Sequence, residues 1–192
     1  MATITHLTTE QLQAGLAHIE RSPKLEGVLA LIVRRPAVND REVLQEGHLD
    51  LGEGLSGDTW SRRRSSRSVD GRAHPDMQLN VMNARAAALI AQHPDRWALA
   101  GDQLFVDLDL SGENLPAGTR VAIGTAIIEV TAEPHTGCRK FVERFGLDAM
   151  KFVNSPTGRA LNLRGINARV VQPGPIRVGD VVRRLDLDLP TL

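Results

Sequence analysis

Short apolar runs, each cut off by glycine or proline, set the terms on which this chain can fold. Gly27–Val33 is an uninterrupted apolar stretch of the kind that forms a buried strand. Leu104–Leu110 alternates apolar residues with aspartate, the period of a half-buried strand. Arg120–Val130 reads as a strand, a tight turn at Gly124 and a second strand. Ala168–Val171 and Asp180–Leu185 are further strands, joined through Gly174-Pro175 and Val178-Gly179, and Asp40–Leu51 holds another. The regular strand–helix alternation of a doubly wound α/β sheet is missing. Many short strands with frequent Gly/Pro turns predict a mostly β fold, a barrel or sandwich with a few peripheral α-helices.

The helices are read from caps and spacing. Thr8 is placed to cap a helix at Thr9, with Gln11 at the capping-box position. Leu12, Leu16 and Ile19 follow at helical spacing, and Pro23 ends the pattern. Asn80–Ala91 is alanine-rich and reads as a helix, as do Cys138–Phe145, closed by Gly146, and Leu147–Val153. Gly52–Ala73 reads as a loop. The 192 residues suit one domain: a helical extension over 1–24, the main domain over 25–185 and a tail over 186–192.

Charge narrows the function classes. The 23 Lys+Arg residues balance 23 Asp+Glu residues. Zero net charge argues against a general nucleic-acid or membrane-surface binder, because phosphate affinity needs an excess of cations. Aromatics are only 3% and tyrosine is absent, so platforms for stacking single strands are scarce. The single cysteine rules out an intramolecular disulfide and fits a reducing compartment. With neither a signal-peptide pattern at the start nor an apolar run long enough for a membrane helix, the expected address is the cytoplasm.

Cys138 is the candidate reactive residue. It lies in Glu133-Pro134-His135-Thr136-Gly137-Cys138-Arg139-Lys140-Phe141, between a strand-like run and a helix. At a strand-to-helix turn, unpaired backbone N–H groups favour a thiolate, and His135, Arg139 and Lys140 add positive charge nearby. The competing reading is a small buried core residue, the commonest role of a free cysteine. His135 and Cys138 also have half the spacing of a zinc site, but a structural site needs about four ligands and no paired partner exists in the sequence. A Cys/His hydrolase pair is a further option, although such pairs usually meet through space rather than along the chain.

Other motifs are weaker. Gly52-Glu53-Gly54-Leu55-Ser56-Gly57 matches the dinucleotide fingerprint literally, yet no helical pattern follows to receive a pyrophosphate. It reads instead as a glycine turn presenting Asp58. The arginines of Arg62–Arg67 suit an anionic cofactor's phosphate, but such runs are more often solvated loops, and that reading is preferred. Ser111-Gly112-Glu113-Asn114 is a turn in which Asn114 can cap.

Taken in order, several pieces resemble the MOSC domain, the type fused to molybdenum-cofactor sulfurases. They are Gly54-Leu55-Ser56-Gly57-Asp58, Gly112-Glu113-Asn114-Leu115, Ile123–Thr131, His135-Thr136-Gly137-Cys138-Arg139-Lys140-Phe141, Arg144-Phe145-Gly146, Arg164–Ala168 and Gly174–Asp180. The likeness spans about residues 25 to 185. It implies a β-barrel-like fold related to the barrel domain of pyruvate kinase. It also implies a molybdenum-pterin cofactor and an essential cysteine, here Cys138, acting as molybdenum ligand or persulfide carrier. By position, Asp58, Asn114, His135, Thr136, Arg139, Lys140 and Arg164 would bind the pterin and its phosphate. Two departures stand out: Trp60 where many relatives have histidine, and Gly137 where many have proline. The sequence holds neither an aminotransferase-like sulfurase domain nor an iron–sulfur cysteine set, so electrons or sulfur are expected from a partner protein. The enzymatic form of this reading is reduction of N-hydroxylated compounds. The alternatives are a non-catalytic sulfur carrier or interaction module, and a family-shaped domain in which Cys138 is only core.

Overall fold

The computed structural model describes residues 5–64, 68 and 70–185. Helix α1 (Thr9–Ala14) begins as the sequence predicts: the Thr8 hydroxyl accepts from the Gln11 N–H, and the Gln11 side chain accepts from the Thr8 N–H. Gly15 interrupts it before α2 (Leu16–Glu20). Strands β1 (Glu26–Arg34), β2 (Glu42–Leu44), β3 (Glu46–Asp50) and β4 (Gly54–Leu55) follow, then β5 (Leu79–Asn83) and helix α3 (Ala84–Ala91). Next are β6 (Leu104–Asp107), β7 (Arg120–Ile123) and β8 (Ala126–Val130). Helices α4 (Arg139–Phe145), α5 (Leu147–Asn154) and α6 (Pro156–Ala160) are inserted before β9 (Ile166–Gln172), β10 (Gly174–Arg177) and β11 (Val181–Leu185).

Seven strands close into a barrel in the order β11, β7, β8, β9, β5, β6, β1, and β1 pairs back onto β11 with Val28 opposite Val181. Closure removes the exposed edges that an open sheet would leave. All pairings are antiparallel except β5 with β6. A small sheet of β10, β3 and β4 lies alongside.

Two cores share the strands between them. Leu29, Ile32, Val81, Leu104, Val106, Ile128 and Ile166 fill the barrel. Val33, Met82 and Phe105 point the other way, into a helical layer with Leu12, Ile90, Phe141, Phe145 and Phe152. Leu104, Phe105 and Val106 are therefore all buried, and β6 is not the half-exposed strand that its alternation predicts. Leu12 is wholly buried, so the N-terminal helices are part of this second core.

Asn80–Asn83, predicted as helix, belongs to β5. Val81 opposite Leu104 and Ile166 locks it between two strands. The helix starts only where the Asn83 side chain caps it by accepting from the Ala86 N–H at 2.9 Å. The predicted hairpin at Gly124 is present, with φ +56° at that glycine. No helix among the described residues is long and apolar enough to cross a membrane.

Candidate functional site

Cys138 is exposed and is the N-cap residue of α4. The residue before it is clamped from α5: the Gly137 N–H donates to Asn154 Oδ1 at 2.9 Å, and Asn154 Nδ2 donates back to the Gly137 carbonyl at 3.1 Å. A side chain at Gly137 would meet Val153, Asn154 and Met150 at 3.1–3.3 Å, a tight approach that glycine relieves. Phe141 and Phe145 are each 2% exposed and pack with their ring centres 4.9 Å apart, tilted by 53°, in the helical core. They anchor the inner face of α4 and leave the sulfur outside, contrary to the core-cysteine reading.

The thiol lies on a cavity of about 250 Å3 whose wall carries six cations: Arg35, Arg41, Arg63, Lys140, Arg144 and Arg164. Two of them are neutralised by buried carboxylates. Asp58 accepts from Arg35 Nε and Nη2 at 2.8 Å each and from the Arg35 backbone N–H at 2.9 Å. Asp102 accepts from Arg164 Nη1 at 3.0 and 2.7 Å. Arg41, Arg63, Lys140 and Arg144 have no ion pair with a carboxylate among the described residues. The buried Nε atoms of Arg41 and Arg164 have no hydrogen-bond acceptor among the described residues. Burial, with repulsion from Arg144 and Arg35, lowers the Arg41 pKa. Burial, with Arg35 and Arg41 as neighbours, brings Arg63 down to about 10. A chain with no net charge has thus gathered unneutralised positive charge in one place, which is a site for an anion.

A polar network holds this end of the barrel. Arg35 Nη1 donates to Asn80 Oδ1 and to the Gly101 carbonyl, Asn80 Nδ2 donates to Asn167 Oδ1 at 2.7 Å, and Asn167 Nδ2 donates to the Glu133 carbonyl. It ties β1, β5 and β9 to the loop leading to Cys138. The Arg164 guanidinium also lies 5.0 Å from the centre of the Phe141 ring. That contact docks α4 on the Arg164–Asp102 pair.

The predicted site residues divide. Cys138, Lys140 and Arg164 share the cavity. Asp58 supports it through Arg35. Arg139 points to solvent, its side chain 92% exposed and paired with Glu143, and Thr136 is exposed outside the cavity wall. His135 lines a neighbouring cleft, with Nδ1 buried 3.4 Å from Asp102. Burial, then the charges of Arg164 and Arg35, hold its pKa well below the ordinary value, so it supplies no positive charge at neutral pH, contrary to expectation. Asn114 does not line the thiol cavity, and its neighbours Gly112 and Leu115 line the cleft that also holds His135. Its side chain donates to the Lys24 and Asp109 carbonyls and accepts from Arg184, beside the start of β1 and the end of β11.

Sequence reasoning did not single out Arg35, Arg41, Asp102 or Asn154. It noted Arg144 only as part of a matching piece, and Arg63 only within a run read as solvated. Ser65, Ser66 and Arg67 of that run lie outside the described residues.

No curated protein matches the sequence. Among solved structures, the YuaD protein of Bacillus subtilis is 18% identical, with a TM-score of 0.58 over 82% of this chain and 94% of its own. YiiM of Escherichia coli is 20% identical, with a TM-score of 0.53 over 83% of this chain and 70% of its own. YiiM of Geobacillus stearothermophilus is 15% identical, with a TM-score of 0.55 over 83% and 74%. These likenesses establish a shared fold. The family model of the MOSC domain matches residues 72–183, more than half the chain and including Cys138, Lys140, Arg144 and Arg164. With its closed seven-stranded barrel and that match, the chain belongs to the MOSC domain family.

Proposed function

We propose that the cationic cavity holds a molybdenum-pterin cofactor, the group associated with this family, with Cys138 as the protein's ligand to the metal. The carrying observation is that an exposed thiol shares one cavity with four cations that have no carboxylate partner among the described residues. The residues fit the group in two respects. Thiolate is a soft donor of the kind molybdenum favours. Arg41 and Arg164 keep a buried Nε without an acceptor among the described residues, and guanidinium groups bond phosphate oxygens in pairs.

In this reading Arg41, Arg63, Lys140 and Arg144 bind the phosphate. Arg164 is held in place by Asp102, and Arg35 by Asp58, so both present their guanidinium groups in fixed orientations. Asn154 fixes Gly137 and through it the position of the sulfur. When bound, the cofactor supplies a redox centre that side chains lack, and reduction of an N-hydroxylated compound is the enzymatic form of the proposal, with electrons from a partner protein.

The exposure of the sulfur also suits a persulfide carrier. There the Cys138 thiolate attacks the outer sulfur of a donor persulfide, forming Cys138–S–SH while the donor leaves as a thiolate. One experiment separates the readings: protein purified from a cofactor-making host, assayed for molybdenum and by intact mass. Molybdenum that disappears in Cys138→Ser and in Arg41→Ala/Arg144→Ala supports the cofactor reading. A one-sulfur adduct on Cys138, removed by reductant, with no molybdenum, supports the carrier. Neither metal nor adduct overturns both.

A further inference from the structure

Helix α5 reaches the Cys138 loop through two side chains one turn apart, Met150 and Asn154. An asparagine amide offers one acceptor oxygen and two N–H donors, and here all are engaged. Asn154 Oδ1 accepts from the Gly137 N–H, and Nδ2 donates both to the Gly137 carbonyl and to Met150 Sδ, the last at 3.2 Å. The amide that holds the residue before Cys138 is thus itself held by a thioether. The same methionine lies directly against the loop: a Cβ at Gly137 would come 3.3 Å from Met150 Cγ.

Met82 is wholly buried, whereas Met150 packs against the helical core and is only half-buried, so an oxidant can reach it. A thioether is a weak acceptor that leaves Asn154 free to serve Gly137. A sulfoxide is polar and chiral, and its oxygen accepts far more strongly. In the tight space beside Gly137 the added oxygen crowds the loop and draws Asn154 Nδ2 away from the Gly137 carbonyl. Both effects act on the residue that positions the sulfur of Cys138.

We propose that Met150 is an oxidation site whose sulfoxide opens the Asn154 clamp and lets the Cys138 loop leave the cation cavity, so that peroxide controls the thiol site through a residue other than its thiol. In this step a lone pair of Sδ takes one oxygen of hydrogen peroxide, the O–O bond breaks and the other oxygen leaves as water. The sulfur loses two electrons and the peroxide gains them. Asn154 Nδ2 covers one lone-pair direction of the sulfur, so the oxygen enters along the other and one epimer forms. Methionine sulfoxide reductases are epimer-specific, so one of their two classes reverses the change. This holds whichever group Cys138 carries, and rests only on that sulfur being the working atom of the cavity.

The test uses the full chain with Met77→Leu throughout, because Met77 is also half-buried. Cys138 is capped as its methyl disulfide, the folded protein is treated with hydrogen peroxide, and a phosphine then frees the thiol. Peptide mass should place one added oxygen on Met150. The ratio of iodoacetate to iodoacetamide alkylation at Cys138, high while the sulfur is held among the cations, should then fall about three-fold or more, with the far-UV circular dichroism unchanged. One reductase class alone should restore it. Met150→Leu, which keeps the bulk but cannot take oxygen, should hold its ratio through peroxide. Asn154→Ala should show the lowered ratio before peroxide and no further fall after it. Met150 that resists peroxide until the chain unfolds, a ratio unmoved by its oxidation, or an equal fall in Met150→Leu would overturn the proposal. Purified protein with neither molybdenum nor a sulfur adduct would overturn the proposed function and leave this result standing. A peroxide-insensitive ratio in molybdenum-bearing protein would do the reverse.

Discussion

Replacing Asp58 by asparagine tests the groundwork of the site. Asp58 is 3% exposed, and its side chain and that of Arg35 are 0% and 4% exposed. The substitution keeps the shape but removes the charge that three donors of Arg35 address. It also turns an amide N–H toward a guanidinium that needs acceptors. Stripping one partner from a buried ion pair costs about 3–5 kcal/mol, since the other charge stays buried and uncompensated. Asn80 Oδ1 and the Gly101 carbonyl still accept from Arg35 Nη1, which favours the lower end of that range. With a urea m-value of roughly 2 kcal/mol/M, a loss of about 3 kcal/mol lowers the unfolding midpoint by about 1.5 M. The double variant Arg35→Met/Asp58→Leu, which removes both charges, should be more stable than Asp58→Asn alone. Acid adds a signature. Burial pushes the Asp58 carboxyl up, but the hydrogen bonds and charge of Arg35 and the Trp60 N–H outweigh it and hold the pKa below the usual 3.8. The folded pKa is depressed, so this stabilisation is complete above the unfolded value and is lost as pH falls through the folded one. Asp58→Asn should therefore flatten the stability loss below pH 4. A midpoint within about 0.3 M of the parent, or a double variant less stable than the single, would refute the reasoning.

Three further outcomes are expected. Burial keeps His135 from taking the proton that the unfolded chain accepts, so stability should fall below about pH 6.5 by up to ~1.4 kcal/mol per pH unit; urea midpoints at pH 7 and pH 5 should differ less in His135→Gln, and equal differences would count against a buried neutral imidazole. The ratio of iodoacetate to iodoacetamide alkylation of Cys138 should be several-fold higher in the native protein than after unfolding and should collapse in about 0.5 M salt, because both reagents meet the same thiolate and only the anion feels the cations; a ratio unchanged by folding would mean that the cavity's charge does not reach the sulfur. Gly165, at φ +106°, lies where a Cβ would come 2.4 Å from the Val81 carbonyl and 3.2 Å from His135 Nδ1, so Gly165→Ala should cost about 2–3 kcal/mol and lower Tm by roughly 4–12 °C in calorimetry.

The barrel was legible where local pattern and long-range pairing agree. Gly27–Val33 and the hairpin at Gly124 are read from apolar runs and turn chemistry, and the strands form there. Prediction failed where pairing overrode propensity. The alanines after Asn83 extended the helix reading backward over Val81 and Met82, yet those residues lie between β6 and β9. Strand β10 was taken for a connecting turn at Gly174-Pro175; it pairs with β3 in the small sheet, with Pro175 opposite His48. Helix α6 carried readable signals in the Ser155 cap and Pro156 at its first position, but Gly158 within it hid them. That glycine is required because a Cβ would come 2.2 Å from the Phe152 carbonyl.

Of the cavity wall, the sequence pointed to Cys138, Lys140 and Arg164 but not to Arg35, Arg41 or Arg144, and the reason is physical. Motif spacing carries information over one turn or one loop, whereas the cations arrive from the segments at Arg35–Arg41, Arg63, Lys140–Arg144 and Arg164. In the unfolded chain these groups are far apart and do not repel. Folding brings them together against their mutual repulsion, which is why burial and neighbouring arginines depress Arg41 and Arg63. The cluster cannot be sustained by stability alone, because packing would be served as well by neutral residues of similar size. The protein sets two acidic side chains, Asp58 and Asp102, beneath the cluster, and among the described residues Arg41, Arg63, Lys140 and Arg144 have no carboxylate ion pair around the one thiol. A site that neutralised itself would give an anion nothing to complete. The missing negative charge is what such a ligand would bring, and Cys138 stands where that ligand would meet sulfur.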